Sequence, residues 1–259
     1  MPSGDPAVSR RSFLRTLAGG AILAAGGRFA TADEAAIGRL IAAAQAFSVL
    51  SQRIDFISRA WLGTRYQADT LIGGPRKQEV LVVRDDRFDC VTYCETVLAA
   101  AKASGLGEFK SALQTIRYHN GIVTWRERNH YFFEWSQHNI ENKICRAVSM
   151  NGAVDIEKTV YWHKQLGKRR FSISVIPRAM FLANVHLLAT GDIVGFISGK
   201  SYLDYFHTGF VAFGDNGVLL LRHAAKSRHR VLDERMDRFV AVNRVRYVTL
   251  LRPQDGEAG

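Results

Sequence analysis

The sequence predicts an α+β fold in which a helical amino-terminal half packs on a carboxy-terminal antiparallel sheet. In the first half, apolar residues recur every three or four positions, which is the period of an amphipathic helix. In the second half, short β-rich runs are separated by turn residues such as those at 215–217. Because helices and strands are segregated along the chain, the pattern favours an α+β domain over a doubly wound sheet.

The composition is that of an ordinary globular protein. The chain has 259 residues, of which 47% are hydrophobic, 23% are charged and only 5 are proline. These values exclude a disordered, collagen-like or disulfide-stapled protein. The formal net charge of +11 favours anionic partners in general. No helix-turn-helix, zinc-finger or RNA-binding motif accompanies this charge, so we expect no nucleic-acid partner.

The first 32 residues look like a twin-arginine export signal. Residues 9–14 read SRRSFL, a soft apolar stretch follows, and residues 30–32 form a small-residue cleavage site. The alternative is a basic amphipathic helix at the start of a cytosolic protein. The apolar stretch is interrupted by Arg15 and Arg28 and is short for a bilayer span. We expect an exported, periplasmic or extracytoplasmic protein without a membrane span, with a single domain at residues 33–259.

Three helices are predicted in the first half, at residues 33–61, 90–104 and 108–118. Asp89 is a plausible N-cap for the second helix, and Gly105 provides its stop. Residues 62–79 contain glycines and a proline, which predicts a loop.

Further along, the pattern is mixed. Residues 80–83 predict a short strand or extended segment, and residues 125–140 fit either a helix or an ordered loop. Four β-rich runs predict an antiparallel meander, at residues 192–198, 206–213, 218–223 and 244–252.

Cys90 is a candidate nucleophile because it begins a predicted helix. The unpaired N–H groups and positive dipole end there favour an anion, so we expect its thiol to ionise more easily than a free cysteine. The same N–H groups could face a developing oxyanion. The alternative is a small buried apolar residue. The three cysteines, with Cys94 and Cys145, are odd in number, so at least one thiol is free, capped or intermolecular. Cys90 and Cys94 are one helical turn apart, which suits neither a disulfide framework nor a C-x-x-C redox pair.

A thiolate nucleophile needs a base, and the predicted hairpin offers His207 and His223. If residues 215–217 form a three-residue loop with Gly217 in the left-handed conformation, residue 207 pairs with residue 225. His223 then lies on the same face as His207, within reach of a side-chain hydrogen bond. A two-residue turn would place the histidines on opposite faces. In the register set by the three-residue loop, His207 accepts the thiol proton and His223 orients the ring of His207. Taken singly, each could instead be a satisfied core histidine.

Several segments resemble, in order, the motifs of the NlpC-type papain-like cell-wall cysteine peptidases. Two more, at residues 116–121 and 128–135, resemble one branch of that superfamily. This branch was long known only as a domain of unknown function and was later described as N-acetylmuramoyl-L-alanine amidases. The resemblance covers about residues 54–252. The superfamily motifs match residues 62–66, 88–95, 191–194, 207–209 and 221–224.

The resemblance implies a circularly permuted papain-like fold with Cys90 as nucleophile, His207 as base and His223 as third member. Tyr66 would place its hydroxyl beside the nucleophile. Arg65 stands where the family often has proline, which puts the shape of that loop in doubt. Four residues would line a substrate groove, namely Arg128, His130, Tyr131 and Trp135. An aromatic cluster of this kind is as often part of the core as part of a cleft.

The implied reaction is hydrolysis of the amide between N-acetylmuramic acid and L-alanine, in peptidoglycan or its fragments, without metal or cofactor. One alternative is an endopeptidase that cuts the stem peptide between D-glutamate and the diamino acid. Another is a wall-binding module without catalysis. The last is a zinc protein, although its donor set has no compact zinc spacing. That set would be Cys90, Cys94, His207 and His223.

Overall fold

The computed structural model describes residues 33–161 and 164–255, so the predicted export signal at 1–32 lies outside the described residues. No helix within these ranges is long and apolar enough to span a bilayer. The described residues form seven α-helices, which are α1 (Glu34–Ala44), α2 (Leu50–Ala60), α3 (Cys90–Lys102), α4 (Leu106–Arg117), α5 (Phe132–Glu141), α6 (Arg178–Ala183) and α7 (Met236–Val242).

The sheet contains ten strands among the described residues, in the order β4-β1-β11-β10-β9-β8-β12-β7-β6, with β5 paired to β12. Neighbouring strands are antiparallel except for the parallel pair β1 and β4, and β2 and β3 form a separate hairpin. The α+β class is therefore confirmed, while the circularly permuted papain-like topology stays a prediction. The strands are β1 (Arg65–Tyr66), β2 (Ile72–Gly74), β3 (Lys77–Val80), β4 (Arg87–Phe88), β5 (Cys145–Ala147), β6 (Val154–Val160), β7 (Arg169–Pro177), β8 (Ile193–Ile197), β9 (Tyr205–Phe213), β10 (Leu219–Ala225), β11 (Arg230–Arg235) and β12 (Tyr247–Pro253).

The single helix predicted at residues 33–61 is wrong, because α1 and α2 are separated by a break at residues 45–49. The side-chain amide of Gln45 donates a 2.9 Å hydrogen bond to the carbonyl of Ala103 at the far end of α3. The guanidinium of Arg53 binds the carbonyl of Ser48 at 3.1 Å. The Arg53 bond satisfies a carbonyl that the break leaves outside the helices, whereas the Gln45 bond ties the break to the end of α3.

The helix that begins at Cys90 is confirmed. The Asp89 side chain accepts the N–H groups of Val91 and Thr92, and the Thr92 hydroxyl accepts the N–H of Asp89, which is a complete capping box. Residues 125–140 were expected to form either a helix or an ordered loop. Helix α5 begins only at Phe132.

The central strands are covered on both faces. On one face α3 packs with α1, α2 and α4 in a cluster that includes Val97 and Phe210. On the other face α6 and α7 pack in a cluster that includes Phe181 and Phe239. Because both faces are covered, all five residues of β8 are buried. Helix α3 lies against the middle of the sheet, in contact with β9 and β10.

Candidate active site

The β9–β10 hairpin has the register that brings the two candidate histidines together. Phe213 lies opposite Leu219, so residue 207 aligns with residue 225, and Gly217 has the left-handed φ of 70°. The Nε2 atom of His207 and the Nδ1 atom of His223 are 2.6 Å apart, a short hydrogen bond. The register and the contact expected from the three-residue loop are therefore confirmed.

Both histidines lie in an apolar pocket under α7. The Phe239 ring centroid is 5.3 Å from that of His207 and 5.4 Å from that of His223. Burial, followed by the neighbouring His223, lowers the pKa of His207 to about 3. Burial also lowers the pKa of His223 to about 4, against an opposing effect of the Asp233 carboxylate. At neutral pH both rings are therefore uncharged, which is the form that can accept a proton.

The far nitrogen of His223 faces a carboxylate that the sequence analysis did not identify. Nε2 of His223 lies 3.5 Å from Oε2 of Glu234, on β11. His223 is only 2% exposed, and this nitrogen has no hydrogen bond within the described part of the chain. Strand β11 was not predicted. Residues 230–235 read RVLDER, which does not alternate between apolar and polar residues, so periodicity gave little signal for this strand.

Cys90 is the first residue of α3 and is half-buried. The backbone N–H groups of Thr208, of Cys90 itself and of Val91 favour its thiolate, and Thr208 directly follows His207. Burial and then the charge of Asp89 outweigh these groups and raise the pKa of the Cys90 thiol to about 12. The expectation that this thiol ionises easily is therefore wrong. The helix start was recognised from the sequence, but its capping carboxylate opposes a second negative charge next to it.

The first turn of α3 leaves one N–H group for a substrate oxygen. The Asp89 carboxylate accepts the N–H groups of Val91 at 3.0 Å and Thr92 at 2.8 Å. The N–H of Tyr93 binds the Asp89 carbonyl at 3.1 Å. The N–H of Cys90 precedes these and points toward its own thiol. When the sulfur adds to a carbonyl group, the carbonyl oxygen becomes an oxyanion. The N–H of Cys90 is the donor of this turn best placed to meet that oxygen.

Tyr66 lies on the other side of the helix start. Strand β1 runs parallel to β4 with Tyr66 opposite Phe88, two residues before Cys90. Burial, and then the charges of Cys90 and Asp89, raise the pKa of the Tyr66 hydroxyl to about 12. The hydroxyl is therefore protonated at neutral pH and lies within electrostatic reach of the thiol. The resemblance implies that this hydroxyl lies beside the nucleophile; both that placement and its role with substrate stay predictions.

Of the four residues expected to line a groove, two make polar contacts and two are buried in the core. Arg128 forms an ion pair with Glu79 at 3.3 Å, and Nε2 of His130 lies 2.6 Å from the carbonyl of Trp125. Tyr131 is only 2% exposed and Trp135 is fully buried in the main apolar cluster. Tyr131, at the N-cap of α5, and Trp135, within α5, are therefore core residues of the same apolar cluster.

The donor set of the zinc alternative does not form a metal site. Within residues 33–161 and 164–255 there is no group of three or more His, Cys, Asp or Glu side chains that could hold a metal ion. Cys94 and Cys145 are buried free thiols. His207 and His223 instead bind each other.

The site thus contains a thiol at a helix start, a neutral histidine pair on adjacent strands and a tyrosine within electrostatic reach of the thiol. The family model of N-acetylmuramoyl-L-alanine amidase-like proteins (AmiA-like) matches residues 56–246. The chain belongs to this family, which has an amidase-like, peptidoglycan-related function. No curated protein matches the chain.

Solved structures show the same fold. Protein LPG0564 from Legionella pneumophila aligns with a TM-score of 0.74 and 21% identity, over 85% of this chain and 94% of that one. An N-acetylmuramoyl-L-alanine amidase from Bacteroides uniformis aligns with a TM-score of 0.71 and 23% identity, over 79% and 99%. A putative xylanase from Bacteroides fragilis aligns with a TM-score of 0.67 and 20% identity, over 75% and 98%. At these identities the similarity shows the fold alone.

Proposed function

We propose that this protein is a cysteine amidase that hydrolyses the bond between N-acetylmuramic acid and L-alanine in peptidoglycan or its fragments. The observation that supports this best is the hydrogen-bonded pair of His207 and His223, next to the helix start at Cys90, in a chain of the amidase-like family. The ordered motifs described above support its placement in the NlpC-type papain-like superfamily. The twin-arginine pattern supports action outside the cytoplasm.

Catalysis begins from neutral groups. Since the pKa of the Cys90 thiol is raised and that of His207 is lowered, a resting thiolate–imidazolium pair is disfavoured. His207 therefore takes the thiol proton as the sulfur attacks the lactyl carbonyl. The C–N bond then breaks, and the same proton passes from His207 to the leaving amine of L-alanine. Water, deprotonated by His207, hydrolyses the thioester and releases the muramyl carboxylate and the free thiol.

The tetrahedral intermediate needs donors for its oxygen. The N–H of Cys90 is the donor in the first turn of α3 that the Asp89 carboxylate does not occupy. The protonated hydroxyl of Tyr66 is the second donor that we assign to the oxyanion. Removal of one such donor typically costs about 10²- to 10³-fold in kcat.

Mass spectrometry of defined muropeptides tests the proposal. The wild-type protein, kept reduced, should release intact stem peptide, and the Cys90→Ser variant should not. Cys145→Ser is the matched control, because it makes the same atomic change at a buried thiol on β5 outside the site.

The products distinguish the alternatives. Fragments cut between D-glutamate and the diamino acid would move the assignment to a stem-peptide endopeptidase. Retention of insoluble wall without turnover by wild-type protein would indicate a binding module. Equal turnover by Cys90→Ser and wild-type protein would overturn the cysteine mechanism.

A further inference from the structure

We propose that Glu234 is a positioning residue that fixes the proton positions of the histidine pair, so that Nδ1 of His207 is the basic nitrogen. This inference rests on the proposed function, because it assigns the atom that receives the Cys90 proton. Neither the sequence motifs nor the family resemblance singled out Glu234.

Two adjacent acidic residues of β11 lie on opposite faces of the sheet. Arg222 is directly opposite Asp233, and Leu221 is directly opposite Glu234. The Asp233 carboxylate binds Arg222 on the α2 side, at 2.7 and 2.9 Å. Glu234 lies on the other face, diagonal to His223, which pairs with Leu232. On that face the Glu234 carboxylate lies 3.5 Å from Nε2 of the neutral His223 ring.

Glu234 faces a His223 nitrogen that has no hydrogen bond among the described residues. Nε2 of His223 is buried, and Oε2 of Glu234 is 3.5 Å away. The Glu234 side chain is 22% exposed, so its carboxylate keeps contact with water while facing the ring. A carboxylate can only accept a hydrogen bond, whereas a neutral imidazole has one N–H and one lone pair. The proton of His223 is therefore favoured on Nε2, toward Glu234.

The consequence for His207 follows from the 2.6 Å contact between the rings. With its proton on Nε2, His223 presents a lone pair at Nδ1. Nε2 of His207 must then donate, which leaves the lone pair of His207 on Nδ1. In the opposite arrangement Nδ1 of His207 would hold a proton, and it could not accept one from Cys90. The lone pair of His223 would also face the Glu234 carboxylate, which is repulsive.

The charged and titratable groups around His223 are few. His207 faces it from β9, and Glu234 and the charge of Asp233 act from β11. Arg222 precedes it on β10 but points to the opposite face. From α7, packed above it, the ring of Phe239 contacts His223, and Arg238 lines a surface cavity together with Glu234. Glu234 is thus the acidic side chain in contact with the far nitrogen of the pair.

Nitrogen-15 NMR of the two imidazoles tests the inference without any need for turnover. In the wild-type protein both rings should be protonated on Nε2 at neutral pH. Glu234→Gln retains an oxygen acceptor and should keep this pattern, whereas Glu234→Leu should lose it. A wild-type spectrum with the His223 proton on Nδ1 would overturn the inference. This result does not depend on muropeptide cleavage, so it separates failure of the inference from failure of the proposed function.

Kinetics with a muropeptide substrate provide the second readout. Glu234→Leu should lower kcat at least about tenfold with KM nearly unchanged, and Glu234→Gln should restore most of kcat; the wrong tautomer in a catalytic triad costs up to about 10⁴-fold. Asp215→Asn, in the exposed turn of the same hairpin, is the control for loss of one negative charge. Equal kcat in the Leu variant and wild type, or an equal loss in the control, would contradict the role.

Discussion

The backbone of Gly209 passes so close to His223 that a β-carbon at position 209 would lie 2.8 Å from the β-carbon of His223. It would also lie 2.8 Å from Cδ1 of Leu221 and 2.9 Å from the carbonyl oxygen of Arg222. Contacts this short force the neighbouring atoms apart. Glycine two residues after His207 is therefore a steric requirement for the His207–His223 contact.

Gly209→Ala should move β10 away from β9 and lengthen the bond between the two histidines. We expect a loss in kcat of about 10²-fold, the typical effect of a 1 Å misplacement, and a loss in stability of about 1–3 kcal/mol from overpacking. Muropeptide turnover and urea unfolding measure the two effects. Gly107→Ala is the control, since nothing lies within 4 Å of a β-carbon in α4 there. Full activity in Gly209→Ala would contradict the argument.

The negative charge of Asp89 opposes ionisation of the Cys90 thiol. Asparagine is an equally good N-cap, so Asp89→Asn should preserve α3 while removing the charge. The pKa of Cys90, which burial and Asp89 raise, should then fall. Each unit of pKa gives about tenfold more thiolate at neutral pH. The rate of iodoacetamide labelling at Cys90, followed by peptide mapping, should rise accordingly.

Asp89→Ala separates the charge from the cap. It should also speed labelling, but it loses the helix cap at a cost of about 1 kcal/mol. Labelling of Asp89→Asn at or below the wild-type rate would refute the electrostatic effect of Asp89.

The pH dependence of activity should reflect the buried histidine pair. Burial lowers the pKa of His207 to about 3 and that of His223 to about 4, both below the usual value near 6.5. The base therefore stays unprotonated as the pH falls through 6.5, and kcat/KM should decline only near pH 3–4. Between the usual pKa near 6.5 and the lowered values of about 3 and 4, the folded state binds fewer protons than the unfolded state. The free energy of unfolding therefore decreases as the pH falls from about 6.5 to about 3. Circular dichroism at each pH identifies the range in which the protein is folded. An acid limb centred near pH 6.5 in folded protein would contradict the prediction.

Local rules were sufficient for the parts of the site that depend on neighbouring residues. The cap at Asp89 follows from one side chain and the two N–H groups after it. The histidine contact follows from the loop length and the left-handed Gly217. Both are decided within a few residues of the chain, so the sequence predicted the cap outright and reduced the histidine register to the two alternatives that the loop at residues 215–217 decides.

The features that the sequence analysis missed depend on distant partners. The break after α1 needs the carbonyl of Ala103, 58 residues away from Gln45. The burial of Trp135 depends on the sheet against which α5 packs, which periodicity does not reveal. The raised pKa of Cys90 results from burial in the folded protein, which outweighs the N–H groups of the helix start.

Arg222, the residue before His223 on β10, forms a buried cluster of ion pairs. Arg222 is 1% exposed and binds Asp233 and Asp55 at 2.7 Å each, which ties β10 to β11 and α2. Arg222→Met should cost about 3–5 kcal/mol, because it leaves the Asp233 carboxylate without this buried cation and Asp55 with only the more exposed Arg59. Arg235→Met is the matched control: Arg235 also binds a carboxylate at 2.7 Å, but both side chains are more than half exposed. It should cost less than about 1 kcal/mol. Urea unfolding measures both, and equal losses would show that burial does not set the strength of the Arg222 cluster.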